Sequence, residues 1–177
     1  GHARGIIRTY EEWLQDKPAG DILRLLGFFL GPASVSAIKE ICKQRIPHLT
    51  DQIDPDGVAA LVGRSIGSLN TMGLLHPQPN STDLIICHPL ISSYFRESVR
   101  RERPAAWKEA NSVLFEYYRK RCPRTEPADL AAMMPALQAV RHGCQAGRYT
   151  EALALYHSDV QRENAFLHRR LGAFSTD

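Results

Sequence analysis

Apolar residues recur at helical spacing along most of the chain, and breaks rich in Gly and Pro separate the successive series. The spacing predicts two amphipathic helices at the start, one before the break at 17–20 and one that Gly31-Pro32 would stop. Their apolar positions are Ile6, Tyr10, Trp13 and Leu14, then Ile22, Leu25, Leu26 and Phe29. Ser34 is a suitable N-cap for a third helix that carries Ile38 and Ile41.

The stretch from 54 to 75 has the most regular helical pattern in the first half of the chain. Six apolar residues share one face of it, namely Val58, Leu61, Val62, Ile66, Leu69 and Met72. Two short extended pieces follow at 74–76 and 83–87, separated by the turn-rich Pro77-Gln78-Pro79-Asn80-Ser81. This pattern predicts a β-hairpin. Three helices followed by a hairpin is the element order of a winged-helix domain.

Helical spacing continues after the hairpin. Pro89 suits a first helical turn, and the buried face that follows contains Ile91, Tyr94, Phe95 and Val99. Arg103-Pro104 breaks this helix, and the next one carries Trp107, Ala110, Leu114, Tyr117 and Tyr118. The segment 123–127 is rich in Pro and polar residues, so a domain boundary is expected near 123–128.

The last part of the chain predicts a helical hairpin. Met133, Leu137, Val140 and Cys144 share a face of its first helix, Gly147 suits a left-handed turn, and Tyr149, Ala152, Leu153 and Tyr156 open the antiparallel partner. Residues 146–153 resemble the middle of a tetratricopeptide repeat, where a small Ala allows close helix packing. Such repeats need about three copies to bury a continuous core, so a truncated array is expected, with Leu137, Val140, Leu153 and Tyr156 left for a further repeat to cover.

These elements together predict an all-α protein, mainly helical with one β-hairpin. Residues 1–122 would form a winged-helix domain with flanking helices, and residues 123–177 would begin a TPR-like helical repeat array.

Composition and charge narrow the range of functions. The 177 residues are 44% hydrophobic and 23% charged, which is typical of a globular chain, and the net charge of +3 is too small to indicate nucleic-acid or membrane binding. The 4 cysteines lie far apart without a C-x-x-C pair, which favours reduced thiols in a cytoplasmic protein and no metal site. No apolar run approaches the roughly 20 residues needed to span a bilayer.

One sequence motif could indicate an enzyme, and a second one that nucleotide-binding enzymes need does not occur. Gly63-Arg64-Ser65-Ile66-Gly67 matches the G-x-S-x-G pattern of serine hydrolases, but that chemistry needs a strand and a strained turn before the serine. Residues 58–72 instead keep a helical period without interruption, so Ser65 is interpreted as a small residue on a packed helix. No G-x-x-x-x-G-K-[ST] loop for phosphate binding occurs. We therefore expect no catalytic residue in this chain.

Four segments in order resemble the region that follows the nucleotide-binding domain in bacterial signal-transduction NTPases of the STAND type (NB-ARC or NACHT-like). They are YEEWL with ILRLLGFFLGPA, CHPLISSYFRE, RRERPAAWKEA, and HGCQAGRYTEAL through RRLGAF. Relatives in this family include apoptosome-type and plant resistance-type switches. The resemblance implies a non-catalytic regulatory module of a protein that binds ADP or ATP, although the chain itself would hold no cofactor.

The resemblance also implies a role for one histidine. In the family, a winged-helix histidine in an M-H-D-like motif reaches the ADP phosphates in the closed state, and His88 occupies the similar position here. The sequence departs from the motif, with Cys87 before the histidine and Pro89 after it. The implied partners are the protein's own nucleotide-binding domain, the following repeats, and a protein or peptide ligand of those repeats.

A DNA-binding winged-helix transcriptional regulator is the alternative. Such domains often place their third helix in the major groove, but here that helix has one cation, Arg64, and the hairpin loop PQPNSTD has none. Basic residues cluster instead at Arg100, Arg101 and Arg103 and at Arg119, Lys120 and Arg121, interleaved with glutamates. This arrangement is typical of solvated helix ends, so DNA is not the expected partner.

Overall fold

The computed structural model describes residues 9–10, 12–14, 17–123 and 129–161. These residues are mostly helical and include one small antiparallel sheet of three strands, which confirms the mainly helical class. Three parts of the sequence interpretation lie outside the described residues: Ile6 in the first helix, most of the linker at 123–128, and the RRLGAF segment near the end.

The chain forms two compact units, residues 1–107 and 108–177. The division falls within a helix, earlier in the chain than the Pro-rich linker that the sequence indicated as a boundary.

In its described part, the first unit contains three strands, the helices α1 (Pro18–Leu26), α2 (Val35–Lys43), α3 (Val58–Thr71) and α4 (Pro89–Glu102), and the start of α5 (Pro104–Arg119), which continues into the second unit. The strands are β1 (Ala33–Ser34), β2 (Leu75–Pro77) and β3 (Leu84–Cys87). Residues 9–10 and 12–14 are also helical, and a single 3₁₀ turn, Pro55–Gly57, precedes α3.

The sheet has the order β1-β3-β2. Strands β2 and β3 pair in the predicted hairpin, with Leu75 opposite Cys87 and Pro77 opposite Ile85. The prediction of a hairpin alone was incomplete, because Ala33 on β1 pairs with Ile85 from the other side. A strand of two residues is too short to carry an alternating pattern, so the apolar spacing did not indicate it.

Asp83 holds β1 in place. Its carboxylate accepts hydrogen bonds from the Ser34 hydroxyl (2.6 Å), the Ser36 amide (2.9 Å) and the Ser36 hydroxyl (2.6 Å). The Asp83 carbonyl accepts a further bond from the Val35 amide at 2.7 Å. Ser34 also caps α2, as predicted, by accepting from the Ala37 amide. The start of α2 and the end of the hairpin loop are thereby fixed together.

Helix α1 ends at Leu26, before the predicted stop at Gly31-Pro32. The guanidinium of Arg96 on α4 donates to the carbonyl of Gly27 at 3.0 Å and to that of Phe29 at 2.7 Å. A Cβ on Gly27 would lie 2.6 Å from the Arg96 amide nitrogen, so only glycine allows α4 to approach this closely. The helix therefore ends where a distant arginine binds the carbonyl groups that follow it.

Most of the predicted apolar positions in the first unit are in its core, and the buried ones include Ile22, Leu25, Leu26, Ile38, Ile41, Val62, Leu69, Phe95 and Val99. The prediction was wrong for Trp13, which is 54% exposed, and Leu61, Ile66 and Met72 on α3 are only half-buried. Phe28, which follows α1, stacks on Trp107 of α5 with ring centroids 4.6 Å apart. Buried side chains of this size each contribute roughly 1.5–3 kcal/mol to folding.

The second unit contains the rest of α5, α6 (Leu130–Ala146), α7 (Tyr149–Leu155) and a short π-helical segment, Tyr156–Gln161. Asp129 caps α6 by accepting from the Ala132 amide, and Gly147 ends α6 in the left-handed conformation with φ of 80°. The chain then returns along α6, as the predicted helical hairpin requires. A Cβ on Gly143 would lie 2.9 Å from both the Ala152 Cβ and the Phe115 ring, so α5, α6 and α7 pack closely at this glycine.

The predicted apolar face of α6 was partly wrong. Met133 is buried, but Cys144 is exposed, and the fully enclosed positions toward the helix end are His142 and Gly143. Leu137, Val140 and Tyr156, which a further repeat was expected to cover, are half-buried and pack against the cluster of Met133, Ala136 and Val160. Leu153 does remain 57% exposed.

Candidate functional site

His88 lies at the junction between β3 and α4, and it is exposed. It is the N-cap of α4: its Nδ1 accepts a hydrogen bond of 3.2 Å from the Leu90 amide, and its carbonyl accepts from Ile91 and Ser92. Pro89 occupies the first helical position, where a missing N–H is harmless. The start of α4 therefore orients this side chain.

The cap determines which nitrogen of the imidazole carries the proton. Because Nδ1 accepts a hydrogen bond, the proton of the neutral ring belongs on Nε2. The side chain is exposed, so the Nε2–H donor is available to a molecule bound at this surface. A ring held in this way can donate one directed hydrogen bond to an oxyanion.

The surroundings of His88 suit an anion. The first turn of α4 contains no acidic residue, and a helix N-terminus carries a partial positive charge. Two apolar neighbours are exposed, Ile86 at 39% and Leu90 at 54%. Half-buried Cys87 precedes the histidine, and burial raises the pKa of its thiol to about 11. The junction therefore combines a hydrogen-bond donor, a helix N-terminus and an apolar surface.

Ser65 does not have the geometry of a hydrolase nucleophile. It lies in the middle of α3, which runs without a break from Val58 to Thr71, so no strand-to-helix turn presents the hydroxyl. The residue is buried, at 4% exposure. The helical interpretation of residues 58–72 is thus confirmed.

The outer surface of α3 is nearly uncharged. Its exposed residues are Ala59, Ala60, Gly63, Arg64, Gly67, Ser68, Asn70 and Thr71. Arg64 is the single cation of the helix. A helix that reads DNA needs several basic or amide side chains for phosphates and base edges.

Two residues of each arginine-rich helix end have partners within the protein. In the first, Arg101 pairs with Glu102 at 2.7 Å and Arg103 donates to the carbonyl of His48 at 2.7 Å. In the second, Arg119 pairs with Glu116 at 2.6 Å and Arg121 donates to the carbonyl of Tyr117 at 2.9 Å. These contacts agree with the interpretation of both clusters as ordinary helix ends.

A buried polar pair in the second unit was missed by sequence reasoning. His142 on α6 is 0% exposed and Asn111 on α5 is 1% exposed, and His142 Nδ1 lies 2.8 Å from Asn111 Oδ1. The Arg141 guanidinium lies 2.8 Å from His142 Nε2, and the Tyr118 ring stacks on the imidazole. Burial, and then the charge of Arg141, hold the pKa of His142 well below its usual value. A neutral imidazole that donates from Nδ1 to Asn111 and accepts from Arg141 satisfies these contacts.

Arg148, at the start of α7, is the centre of an ion-pair network in the second unit. It donates to Glu116 at 2.7 Å, to the Ser112 hydroxyl at 3.0 Å and to Glu151 at 2.5 Å. Its guanidinium also lies 4.3 Å from the centroid of the Phe115 ring. Hydrogen bonds with Glu151 are the main cause of the raised pKa of Arg148. This network joins the second helix of the hairpin to α5.

Metal-binding side chains do not cluster in the described ranges, where no three His, Cys, Asp or Glu residues come together as a possible metal site. Within the same ranges, each helix is too short or too polar to cross a bilayer.

Comparison with known proteins found no matching family model, no similar curated protein and no similar solved structure.

Proposed function

We propose that this chain is a non-catalytic regulatory module of a STAND-type signal-transduction NTPase. In this proposal the first unit is a winged helix that holds the ADP-bound closed state, and the second begins a TPR-like repeat that senses a protein or peptide ligand. The observation that carries the proposal is the arrangement at His88, where the cap on Leu90 leaves an exposed Nε2–H at a helix N-terminus.

The order of elements supports the winged-helix interpretation. The first unit runs α1, β1, α2, α3, β2, β3, which is a three-helix arrangement followed by a hairpin, and β1 closes a small sheet with that hairpin. The left-handed turn at Gly147 and the close contact of Gly143 with Ala152 support the TPR-like interpretation of the second unit.

Chemistry at the junction explains how a switch would operate. When the nucleotide-binding domain presents ADP, His88 would donate from Nε2 to a phosphate oxygen, and the N-terminus of α4 would add a favourable field. One hydrogen bond to a charged group is worth roughly 1.5–3 kcal/mol. A contact made only in the closed state therefore shifts the ratio of closed to open forms by about ten- to a hundredfold.

Two substitutions test the role of His88 in the NTPase that contains this chain. His88→Ala removes both the cap and the Nε2–H, whereas His88→Asn keeps a good N-cap and removes the imidazole. We expect both variants to release ADP about ten- to a hundredfold more readily and to signal without ligand, as measured by nucleotide retention and activity.

Unfolding of the isolated chain separates the two roles of His88. We expect His88→Ala to lower the free energy of unfolding by about 1 kcal/mol through loss of the cap, and His88→Asn to leave it nearly unchanged. The proposal is contradicted if His88→Asn retains ADP as tightly as the wild type, because the histidine would then be a helix cap alone.

A further inference from the structure

A groove of about 280 Å³ lies on the first unit where the start of α1 meets α3. Its lining combines cationic, hydroxyl and apolar groups, and it is formed by Lys17, Pro18, Ala19, Leu61, Arg64, Ser65 and Ser68. The lining does not include His88 or its neighbours, so a ligand bound there would not use the proposed contact between His88 and ADP.

Ser65 is a buried hydroxyl that faces the groove without a partner. The residue is 4% exposed and lines the groove, and its side chain has no hydrogen bond within the described part of the chain. Its oxygen is not fully enclosed, because the described buried side-chain atoms without a partner do not include it. A hydroxyl that reaches the groove without a partner in the described part of the protein is available to donate to a ligand bound there.

Two cations flank this hydroxyl. Arg64 and Lys17 both line the groove, and neither contacts a carboxylate among the residues that the structure describes. The Lys17 ammonium instead lies 3.7 Å from the centroid of the Trp13 ring. Two cations that line one groove, without a carboxylate contact in the described ranges, favour an anion there.

The N-terminus of α1 adds to the positive potential. The helix begins at Pro18, and its N-cap residue, Lys17, makes no side-chain hydrogen bond to the first turn. Pro18 has no N–H and the Gly20 amide donates to the Lys17 carbonyl at 2.9 Å, so the helix terminus contributes a favourable field and not a set of free donors. The charge, the helix terminus and the Ser65 hydroxyl thus favour the same kind of ligand.

The remaining walls are apolar and are formed by Pro18, Ala19 and Leu61. We propose that the groove binds a small organic anion, an oxyanion carried on an apolar body. Arg64 and Lys17 neutralise the oxyanion, Ser65 donates to it, and the apolar walls cover the body of the ligand. Either a phosphate monoester or a carboxylate presents this chemistry.

Trp13 provides an optical signal for binding. It is 54% exposed beneath Lys17, whereas the second tryptophan, Trp107, is buried against Phe28. Movement of the Lys17 ammonium toward an anion should therefore change the emission of Trp13. The Trp13→Phe variant removes that signal, and calorimetry detects binding independently of it.

The test titrates the full 177-residue chain with phenyl phosphate, benzoate and neutral benzyl alcohol. We expect saturable binding of at least one anion with a Kd of about 1 mM or tighter, and no saturable binding of the alcohol. If only one of the two anions binds, the proposal stands and the oxyanion is identified. Absence of both heat and emission change with both anions overturns it, as does equal binding of the alcohol.

Three variants locate the binding. Arg64→Ala should weaken binding at least about tenfold through the lost charge-assisted hydrogen bonds, while Arg45→Ala, an exposed arginine outside the groove, should leave it unchanged. Ser65→Ala should weaken binding several-fold without lowering the melting temperature, because its hydroxyl has no partner to lose. Equal binding by wild type and Arg64→Ala would overturn the proposal.

Discussion

Ser34 and Asp83, which are 49 positions apart in the sequence, are joined by a hydrogen bond of 2.6 Å between hydroxyl and carboxylate. Ser34 ends β1 and caps α2, and Asp83 precedes β3, so this bond ties the start of a helix to the hairpin. The same carboxylate accepts two bonds from Ser36. A single acidic residue thereby sets the position of β1.

Removing this carboxylate should destabilise the first unit. We expect Asp83→Ala to lower the free energy of unfolding by about 2 kcal/mol, because the hydroxyls and the amide of Ser34 and Ser36 lose a charged acceptor. Urea denaturation measures the change. Thr82→Ala, an exposed neighbour in the same loop, serves as the control. Equal stability of the two variants would show that the three bonds contribute little.

Replacement by alanine should have opposite effects on the free energy of unfolding at two glycines. Gly143→Ala places a methyl group 2.9 Å from Ala152 Cβ and from the Phe115 ring, so we expect a loss of about 1–3 kcal/mol. Gly63→Ala on α3 meets nothing within 4 Å and should gain about 0.5–1 kcal/mol from helix propensity. Thermal denaturation compares the two. A stabilised Gly143→Ala variant would contradict the close packing of the three helices.

The buried histidine should make stability depend on pH. His142 stays neutral in the folded state because burial lowers its pKa, whereas the unfolded chain binds a proton near pH 6.5. The unfolded state therefore gains protons as the pH falls below about 6.5, and stability should fall by up to about 1.4 kcal/mol per pH unit.

Denaturation at several pH values tests this dependence. His142→Gln should flatten the profile between about pH 5 and 6.5. An unchanged slope in His142→Gln would rule out this histidine as the source.

The cysteines should differ strongly in reactivity toward a thiol reagent. Burial raises the pKa of Cys42 to about 12 and those of Cys87 and Cys122 to about 11, and Cys144 is exposed. Because the thiolate is the nucleophile, we expect one fast-reacting thiol of the 4 at pH 8. Cys144→Ser should abolish the fast phase, and its persistence would assign it to another cysteine.

The local sequence predicted part of the structural setting of the two candidate residues, His88 and Ser65. The placement of His88 at a strand-to-helix junction was predictable, since Pro89 marks a helix start beside an apolar run. Its use of Nδ1 as a helix cap was not, because that depends on the imidazole orientation. Ser65 drew attention through a hydrolase motif, yet its unpartnered position facing a groove depends on how α1 and α3 pack.

The sequence by itself determined the features that depend on neighbouring residues. Helices α2 to α5, the hairpin of β2 and β3, the cap at Ser34 and the turn at Gly147 follow from apolar spacing, capping chemistry and backbone preference, all of which act within a few residues.

Only the tertiary structure decided features with partners far along the chain. Ser34 of β1 bonds to Asp83, the carbonyl of Gly27 after α1 bonds to Arg96, and buried His142 contacts Asn111. In each case a polar group is satisfied by a residue that no local pattern specifies. The helical spacing predicted that Cys144 is buried and did not predict the burial of His142. In the structure, α6 instead packs against Phe115 on the side that carries Gly143.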